Sequence, residues 1–591
     1  MSGTETVVVG GGVAGLYAAW RLARAGQGVR VLEAGDRLGG RLWSLPMRSP
    51  QALPAELGGM FFNDNQPLVH GLCAEVFDLP RQRVTPEPDF AWLRGHRFRV
   101  EAFADPSVLP YGLRPDEQGL SYGALLMLAI TRIAPDIGKY WPMNPDSSRE
   151  AALAYLQGLE VDGRPLHAWG FWNLLSRVIS NEAWLALRDI ISSWALFSNW
   201  NGYDALVSAV LEQSGQWYRL IHGYQQLPGR LAEDAQSRGA AIQTGCTVRS
   251  VHRTSSGWRL EVDGPGGGVQ AQRLVLALPA QALADLVAAS PVLHDSRLQA
   301  CLGAVAGIPA CKVFLTFPQP WWRDLPEGPG KIREGSYGVS HTDLPLRQCY
   351  YLGVDADSGE GLMLASYADG DATSFWRALA PDSGREGRLE SGLSGQALRE
   401  VCRQLSEMHG VAVPAPSSGV FIDWSARPFG GGWHAWQPGW KSWELTGAML
   451  APVEGLPLYV CGESFSSTQG WVQGALESTE AMLQSHFGLE APAWLHDAAC
   501  LAPYDDRQPR AAAPDLQPPQ GEPQMPENTR NFLKAVGSNP ELAKRFRKEP
   551  KAVMDEHKVP AEHQKLILAG DRDGLQRAAG LSEEEVRWFI L

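Results

Sequence analysis

Val7-Val8-Val9-Gly10-Gly11-Gly12-Val13-Ala14-Gly15 is an apolar run that stops at a glycine cluster, and a second apolar run, Val29-Arg30-Val31-Leu32, ends on Glu33-Ala34. The residues between them have the apolar spacing of a helix. Strand, Gly-x-Gly-x-x-Gly turn, helix, strand and acid follow in the order of a dinucleotide-binding βαβ unit. Gly10 makes the tight turn, Gly12 lets backbone N–H groups approach a pyrophosphate on the positive helix N-terminus, and Gly15 allows close helix-to-strand packing. Glu33 is spaced to accept hydrogen bonds from ribose hydroxyls. Arg37-Leu38-Gly39-Gly40-Arg41 comes next. A second glycine pair beside an arginine brings another loop and a fixed cation to the phosphates.

With these residues the chain resembles the flavin amine oxidase superfamily, which includes monoamine, polyamine and L-amino-acid oxidases. The likeness is carried by Asp36 to Arg41, by Glu56-Leu57-Gly58-Gly59, by Leu458-Tyr459-Val460-Cys461-Gly462-Glu463 and by Gly470-Trp471-Val472-Gln473-Gly474-Ala475. It spans about the first 490 residues and is most specific at its two ends. The resemblance implies FAD rather than NAD. Gly462 and Glu463 would then meet the ribitol and pyrophosphate, Val472 the pyrimidine edge of the flavin, and Val248 the adenine. Cofactor contact is implied for Gly10, Gly12, Val13, Ala14, Gly15, Glu33, Ala34, Gly40, Arg41, Gly58, Gly59 and Met60 as well.

At 591 residues the chain is too long for one core, and 44% hydrophobic with 20% charged residues is ordinary for a globular protein. Acidic residues outnumber basic ones by 65 to 52, a net charge of -13. Nucleic acid and anionic membranes are therefore not expected as partners. The first apolar run leaves no room for a leader peptide after Met1, so a cytoplasmic location is the expectation. Cysteines at 73, 246, 301, 311, 349, 402, 461 and 500 have no metal-ligand spacing and read as small buried hydrophobes. No metal is expected. Tryptophan stands out at 22 residues, several of them near the flavin-like segments.

The expected fold class is α/β: a discontinuous Rossmann-like FAD-binding domain, a mixed α/β substrate domain, a helical insert and a small all-α C-terminal module. The cofactor domain is expected from residues 1–65, 220–300 and 450–488, with Ala241 to Val251 as a strand and Gly223-Tyr224 where the family has a glycine pair. Residues 66–219 read as a helical insert, helical for example from Asn181 to Val210, and residues 301–449 as the substrate domain with strands at Cys311 to Phe317 and Gly361 to Ala368. Residues 489–526 read as a linker, with seven prolines from Pro503 to Pro526. Residues 527–591 regain helix signals: Asn539-Pro540 as a start, Leu542, Phe546, Val553 and Met554 as an apolar stripe, and Ser582-Glu583-Glu584-Glu585 as a capping box. Through Asn539-Pro540-Glu541-Leu542, Glu549 to Met554 and Leu568 to Asp571 this module resembles the small LigA-like subunit of ring-opening dioxygenases and the helical leader of borosin precursors. That likeness implies a peptide or protein partner; a helical cap on its own enzyme is the alternative.

Flavin amine oxidation moves a hydride equivalent from the carbon bearing a neutral amine to flavin N5, so the protein has only to orient the substrate and keep the amine unprotonated. Lys312, in Ala310-Cys311-Lys312-Val313-Phe314, stands where the family's lysine holds a water against N5. Gly432 occupies the place where monoamine oxidases attach flavin through cysteine, which implies non-covalent FAD. Trp433 and Trp471 stand where the family sets aromatic walls beside the amine path. One departure concerns the substrate: Gly59-Met60-Phe61-Phe62 has Phe61 where L-amino-acid oxidases commonly carry the arginine that clamps a carboxylate. The expected activity is oxidation of an amine or amino-acid-like substrate by O2, with imine and peroxide as products. A desaturase or monooxygenase on the same scaffold, and a carrier- or peptide-bound substrate recruited by the tail, are alternatives. Oligomeric state, homodimer included, stays open.

Overall fold

Five short strands, most of them rich in β-branched residues or leucine, form one parallel sheet in the order Ala241–Gln243, Val29–Leu32, Thr6–Val9, Arg273–Leu276, Leu458–Val460. In this computed structural model the described residues are 6–47, 53–85, 88–193, 198–212, 215–264, 268–332, 338–355, 357–379, 390–496, 498–504, 529, 532, 535–536 and 540–569. The chain winds outward from Thr6–Val9 on one side and then crosses to the other, so the carboxyl end of that strand is the switch point at which such sheets bind ligands. Gly10 sits there with φ +108°, and a Cβ on it would lie 2.4 Å from the Ala277 carbonyl oxygen. Only glycine fits.

The helix Val13–Arg24 leaves this turn and buries Leu16, Tyr17, Trp20 and Leu22. Gly15 in its first turn lets it lie on the strand end, since a Cβ there would fall 2.0 Å from the Gly10 carbonyl oxygen. The helices Gln226–Ser237 and Val472–Phe487 pack on it. Arg21 grips the buried Glu480 with two hydrogen bonds of 2.9 Å, and Tyr17 donates to the same carboxylate at 2.7 Å. Segments more than 450 residues apart are thereby locked together beside the parallel sheet.

The stretch expected as one strand from Ala241 to Val251 is two. Ala241–Gln243 joins the parallel sheet, whereas Thr247–Thr254 belongs to a separate antiparallel sheet with Gly257–Asp263 and Val269–Ala271. The break is held by backbone bonds from Gly245 N to Gly35 O and from Cys246 N to Glu33 O, both 2.8 Å. These bonds bring Val248 beside Glu33's loop.

The second layer is an eight-stranded sheet ordered Glu390–Gly392, Ser418–Asp423, Ala310–Phe317, Gly361–Asp369, Gln348–Val354, Gly338–Thr342, Phe90–Leu93, His96–Arg99. Both strands expected in the substrate domain are present. Alternation on Ala310–Phe317 sends Cys311, Val313, Leu315 and Phe317 into one core with the helices Asp371–Leu379 and Gly395–His409. Phe314 joins another core with Ala55, Leu57 and Met60, and Lys312 shares its face. The segment 66–219 is not helical throughout, because Phe90–Leu93 and His96–Arg99 complete the edge of this sheet by backbone pairing. Its helices, among them Tyr122–Ile133, Phe171–Val178 and Asn181–Ile191, form their own core around Leu125, Leu174 and Leu187.

The first residues of the segment expected as a linker, 489–526, are packed rather than linker-like. Leu495, Cys500 and Tyr504 are buried in the core around the parallel sheet, so the residues up to 504 are part of that domain. Met1–Pro514 is one compact unit and Asp515–Leu591 another. In the second, the helices Pro540–Lys548, Pro550–Glu556 and Ala561–Ala569 surround Phe532, Val553, Met554 and Val559, with Leu542 and Phe546 packed against them. His563 is buried there and shares a 3.0 Å hydrogen bond with Thr529. Asn539, the Ser582 capping box and the segment 570–591 lie outside the described residues. All eight cysteines are free, and all but Cys402 are buried. Among the described residues no helix is long and apolar enough to cross a membrane.

Candidate active site

A cavity of about 570 Å³ runs from the glycine turn of the parallel sheet to the face of the eight-stranded sheet, within the range of ligand sites. At its first end the loops of Gly12 and Gly39 run side by side, with Gly39 N donating to Gly11 O at 2.8 Å. Gly12 is the N-cap of the helix Val13–Arg24 and offers no side chain to its free N–H groups. An uncapped, glycine-lined helix N-terminus is a phosphate cradle, because unpaired N–H groups and the helix dipole both favour an anion. Gly10, Gly12, Val13, Ala14, Glu33, Ala34, Gly40, Arg41, Gly58, Gly59, Val248, Gly462, Glu463 and Val472 all line the cavity. Gly15 lies behind it, in the helix-strand contact. Met60 belongs to the apolar core under the second sheet, and Phe61 packs on Tyr350 with ring centroids 6.0 Å apart; neither is a lining residue.

Glu33, expected from its spacing to meet a ribose, is engaged by the backbone around it. Its Oε2 accepts from Gly11 N at 2.6 Å and its Oε1 from Gly35 N at 2.8 Å, so the carboxylate shapes the glycine turn and the loop after it. Further lone pairs stay available to a sugar hydroxyl.

Arg41 and Glu463 face each other at 2.7 Å, and Arg41 also donates to Gly432 O at 3.1 Å. Glu463, only 6% exposed, accepts from His434 N at 2.8 Å, shares a 2.9 Å bond with His434 Nδ1, and accepts from Gly470 N at 2.9 Å. Burial by itself pushes this carboxyl up, but Arg41 and His434 outweigh it and hold it well below the ordinary carboxylate range. The result is a buried, charge-compensated knot that ties together three segments singled out from the sequence. Sequence reasoning singled out Arg41 and Glu463 and passed over His434. Its place next to Trp433 was the available signal.

At the far end stands Lys312, 3% exposed on its strand and thus not a snorkelling lysine. Its Nζ donates to Glu56 O at 2.9 Å and Gly58 O at 2.5 Å, and lies 4.7 Å from the centre of the Tyr367 ring. Burial lowers the ammonium from its ordinary range, with the Glu56 carboxylate opposing. Burial raises Glu56, against hydrogen bonds from Ser44 Oγ at 2.7 Å and Tyr224 N at 2.7 Å. The Glu56-Lys312 pair is an addition of the tertiary structure, since the sequence pointed to Glu56 only as part of a motif. Tyr224, standing for a family glycine, is buried against Phe62 at 5.7 Å between ring centres.

Trp433 and Trp471 both line the cavity. Trp433 meets Trp200 edge-on at 5.8 Å and Trp471 leans on Trp217 at 5.3 Å, so each wall is backed by a second tryptophan. Trp424, also lining, donates its indole N–H to Leu57 O at 2.7 Å. At Gly432 a Cβ would lie 2.5 Å from the Ala310 Cβ. A side chain at that position has no room. Among the described residues no group of three His, Cys, Asp or Glu could hold a metal ion.

The family model for flavin-containing amine oxidoreductase matches residues 13–481. Aplysianin-A from Aplysia kurodai is 28% identical over 525 residues, covering 81% of this chain and 89% of its own length. An L-amino-acid oxidase from Mus musculus is 26% identical over 532 residues, covering 87% of this chain and 76% of its own. The solved structure of cyclohexylamine oxidase from Brevibacterium oxydans IH-35A superposes with a TM-score of 0.58 at 18% identity, covering 82% of this chain and 99% of that one, a likeness of fold. By the reach of that family match and the cavity built from its two ends, the chain belongs to the flavin-containing amine oxidoreductases and is an oxidoreductase acting on CH–NH2 groups.

Proposed function

We propose that the protein is an oxidase with non-covalently bound FAD that acts on a neutral amine or an amino-acid-like substrate. One observation carries this reading: a single cavity joins a phosphate cradle at a helix N-terminus to an aromatic-walled end containing a buried lysine. Bound FAD would accept the hydride equivalent at N5 and return electrons to O2, giving imine and hydrogen peroxide. The Gly12 turn and Arg41 would hold its phosphates, Glu33 its ribose, and the Val472 helix end its pyrimidine edge. Gly432 leaves no side chain to bond it. Trp433 and Trp471 exclude water and confine the amine between flat apolar surfaces, which favours its unprotonated form. Lys312 holds a proton close to the reacting end through an Nζ that burial has made easier to deprotonate.

The substrate's acid group bears on its class. Among the described residues lining the cavity the cations are Arg41, Arg249 and Lys312, and each is engaged: Arg41 with Glu463, Arg249 with Asp263 at 2.5 Å, Lys312 with the carbonyls of Glu56 and Gly58. With Phe61 on Tyr350 in place of a carboxylate clamp, an amine or an amide-masked amino acid fits better than a free α-carboxylate. Names of relatives such as the mouse L-amino-acid oxidase favour free amino acids. A peroxide screen over paired amines, amino acids and amino-acid amides decides between them. Peroxide from none of them, with flavin bound, refutes the oxidase reading in favour of a desaturase or monooxygenase.

A second reading is favoured by the separate unit Asp515–Leu591, which has its own buried core. In it that unit captures a peptide or carrier bearing the amine. Binding of such a partner, lost on removal of the unit, is the test.

A further inference from the structure

The loop from Glu463 to Trp471 is held from two sides. On the cavity side Glu463 takes the Gly470 amide, while Gln469 donates to Ser464 O at 2.6 Å and accepts from Trp436 N at 2.8 Å. On the other side the partner arrives from residues 498–504. The Tyr504 hydroxyl accepts from Ser467 N at 2.9 Å, and Pro503 O accepts from Thr446 Oγ1 at 3.2 Å. Tyr504 is 2% exposed. Next to it lies Glu477, 1% exposed, which accepts from Ser467 Oγ at 3.1 Å and from Gln473 Nε2 at 3.0 Å. Gln473 Oε1 in turn accepts from the Leu68 and Val69 amides. The proposed chemistry makes no use of this buried network, yet it ends on the loop that carries one aromatic wall of the cavity.

We propose that Tyr504 is a positioning residue for the reaction: through the Ser467 amide it fixes the loop that sets Glu463 and Trp471 against the flavin. The inference rests on the flavin reading above. Its physical basis is that the middle of this loop takes an acceptor for its N–H from a distant part of the chain. Without the hydroxyl, that N–H is left without its partner or the loop shifts to find another. A displacement of about 1 Å at a reacting wall costs on the order of 10²-fold in rate. Phenylalanine at 504 would keep the ring packing and remove the hydroxyl, which accepts from Ser467 N and, at 3.4 Å, from Ser467 Oγ.

The test compares full-length FAD-loaded wild type with Tyr504→Phe and with Leu495→Ala, which removes core packing from the same C-terminal segment without touching Ser467. The measurements are flavin stoichiometry, visible circular dichroism of the bound flavin, melting temperature and reoxidation of the dithionite-reduced enzyme by O2. Tyr504→Phe is expected to keep its FAD, alter the flavin dichroism and slow reoxidation by roughly tenfold or more. Leu495→Ala is expected to lower the melting temperature and leave dichroism and reoxidation unchanged. A flavin-bound Tyr504→Phe that matches wild type in both overturns the inference. So does loss of FAD from Tyr504→Phe, or an equal change in Leu495→Ala, since either would make the effect one of general folding. Wild type that takes up no flavin refutes the underlying reading and the inference with it, a result distinct from the others.

Discussion

Replacing Lys312 by methionine keeps the length of the side chain and removes its charge. The ammonium holds two carbonyls, Glu56 O at 2.9 Å and Gly58 O at 2.5 Å. Leaving each without its donor costs about 1–3 kcal/mol. Against this, the desolvation of a buried ammonium, several kcal/mol on the same scale, is recovered. The two terms are similar in size, so the fold and the flavin are expected to survive. Rate behaves differently. A positioned proton-transfer group contributes about 10²–10⁴-fold, or roughly 3–5 kcal/mol of barrier, and nothing in the methionine replaces it. Stopped-flow measurement of anaerobic flavin reduction and of reoxidation by O2 separates the half-reactions, and at least one is expected to slow by about 10²-fold or more. The wild-type pH profile of that step should carry an inflection below the ordinary lysine value of 10.5 which the variant lacks. If both half-reactions and the profile are unchanged while flavin stays bound, Lys312 is a packed strand residue and the reasoning fails.

Three further outcomes follow from the site and the domain division. Acid precipitation of the yellow protein should leave all flavin in the supernatant, because Gly432 has no atom to bond it; flavin retained in the pellet would contradict this. Glu463 is held below its ordinary value of 4.5 in the folded chain, so its stabilisation is complete above that value and is lost as pH falls through the lower folded value. Flavin release followed by fluorescence should accordingly begin below about pH 4.5 in wild type, and Glu463→Gln should shed flavin at neutral pH; tight flavin binding by that variant would count against the knot it forms with Arg41 and His434. Ending the chain after Gln517 should leave flavin content and melting temperature of the Met1–Pro514 unit intact and weaken turnover of the natural substrate more than that of small amines. A large drop in flavin content and melting temperature would make the tail a structural cap.

Local chemistry made the glycine turn readable in advance. A glycine turn between an apolar strand and a helix has few conformations open to it, and the spacing to Glu33 and Arg41 is set by the length of one βαβ unit. Lys312 was legible only through the resemblance of Ala310 to Phe317 to a family strand; the structure adds that the residues around it face two cores. The errors came where local pattern is silent. Ala241 to Val251 is equally apolar on both sides of the break at Gly245, and only the backbone bonds to Gly35 and Glu33 decide that it is two strands. The change of sequence character after residue 488 placed the linker too early because it does not register that Leu495, Cys500 and Tyr504 are buried.

The sequence by itself determined the glycine turn of the dinucleotide fold, set by neighbours within a few turns of chain, and the family, through motifs at its two ends. Only the tertiary structure decided which residues act as units. Lys312 meets the Glu56 carbonyl across 256 residues, Glu463 meets His434 across 29 and Arg41 from the far end of the domain, and Tyr504 meets Ser467 across 37. These partners are chosen by packing of helices and sheets. A buried charge or amide must find its counterpart wherever the fold delivers one, and spacing along the chain carries no record of that choice.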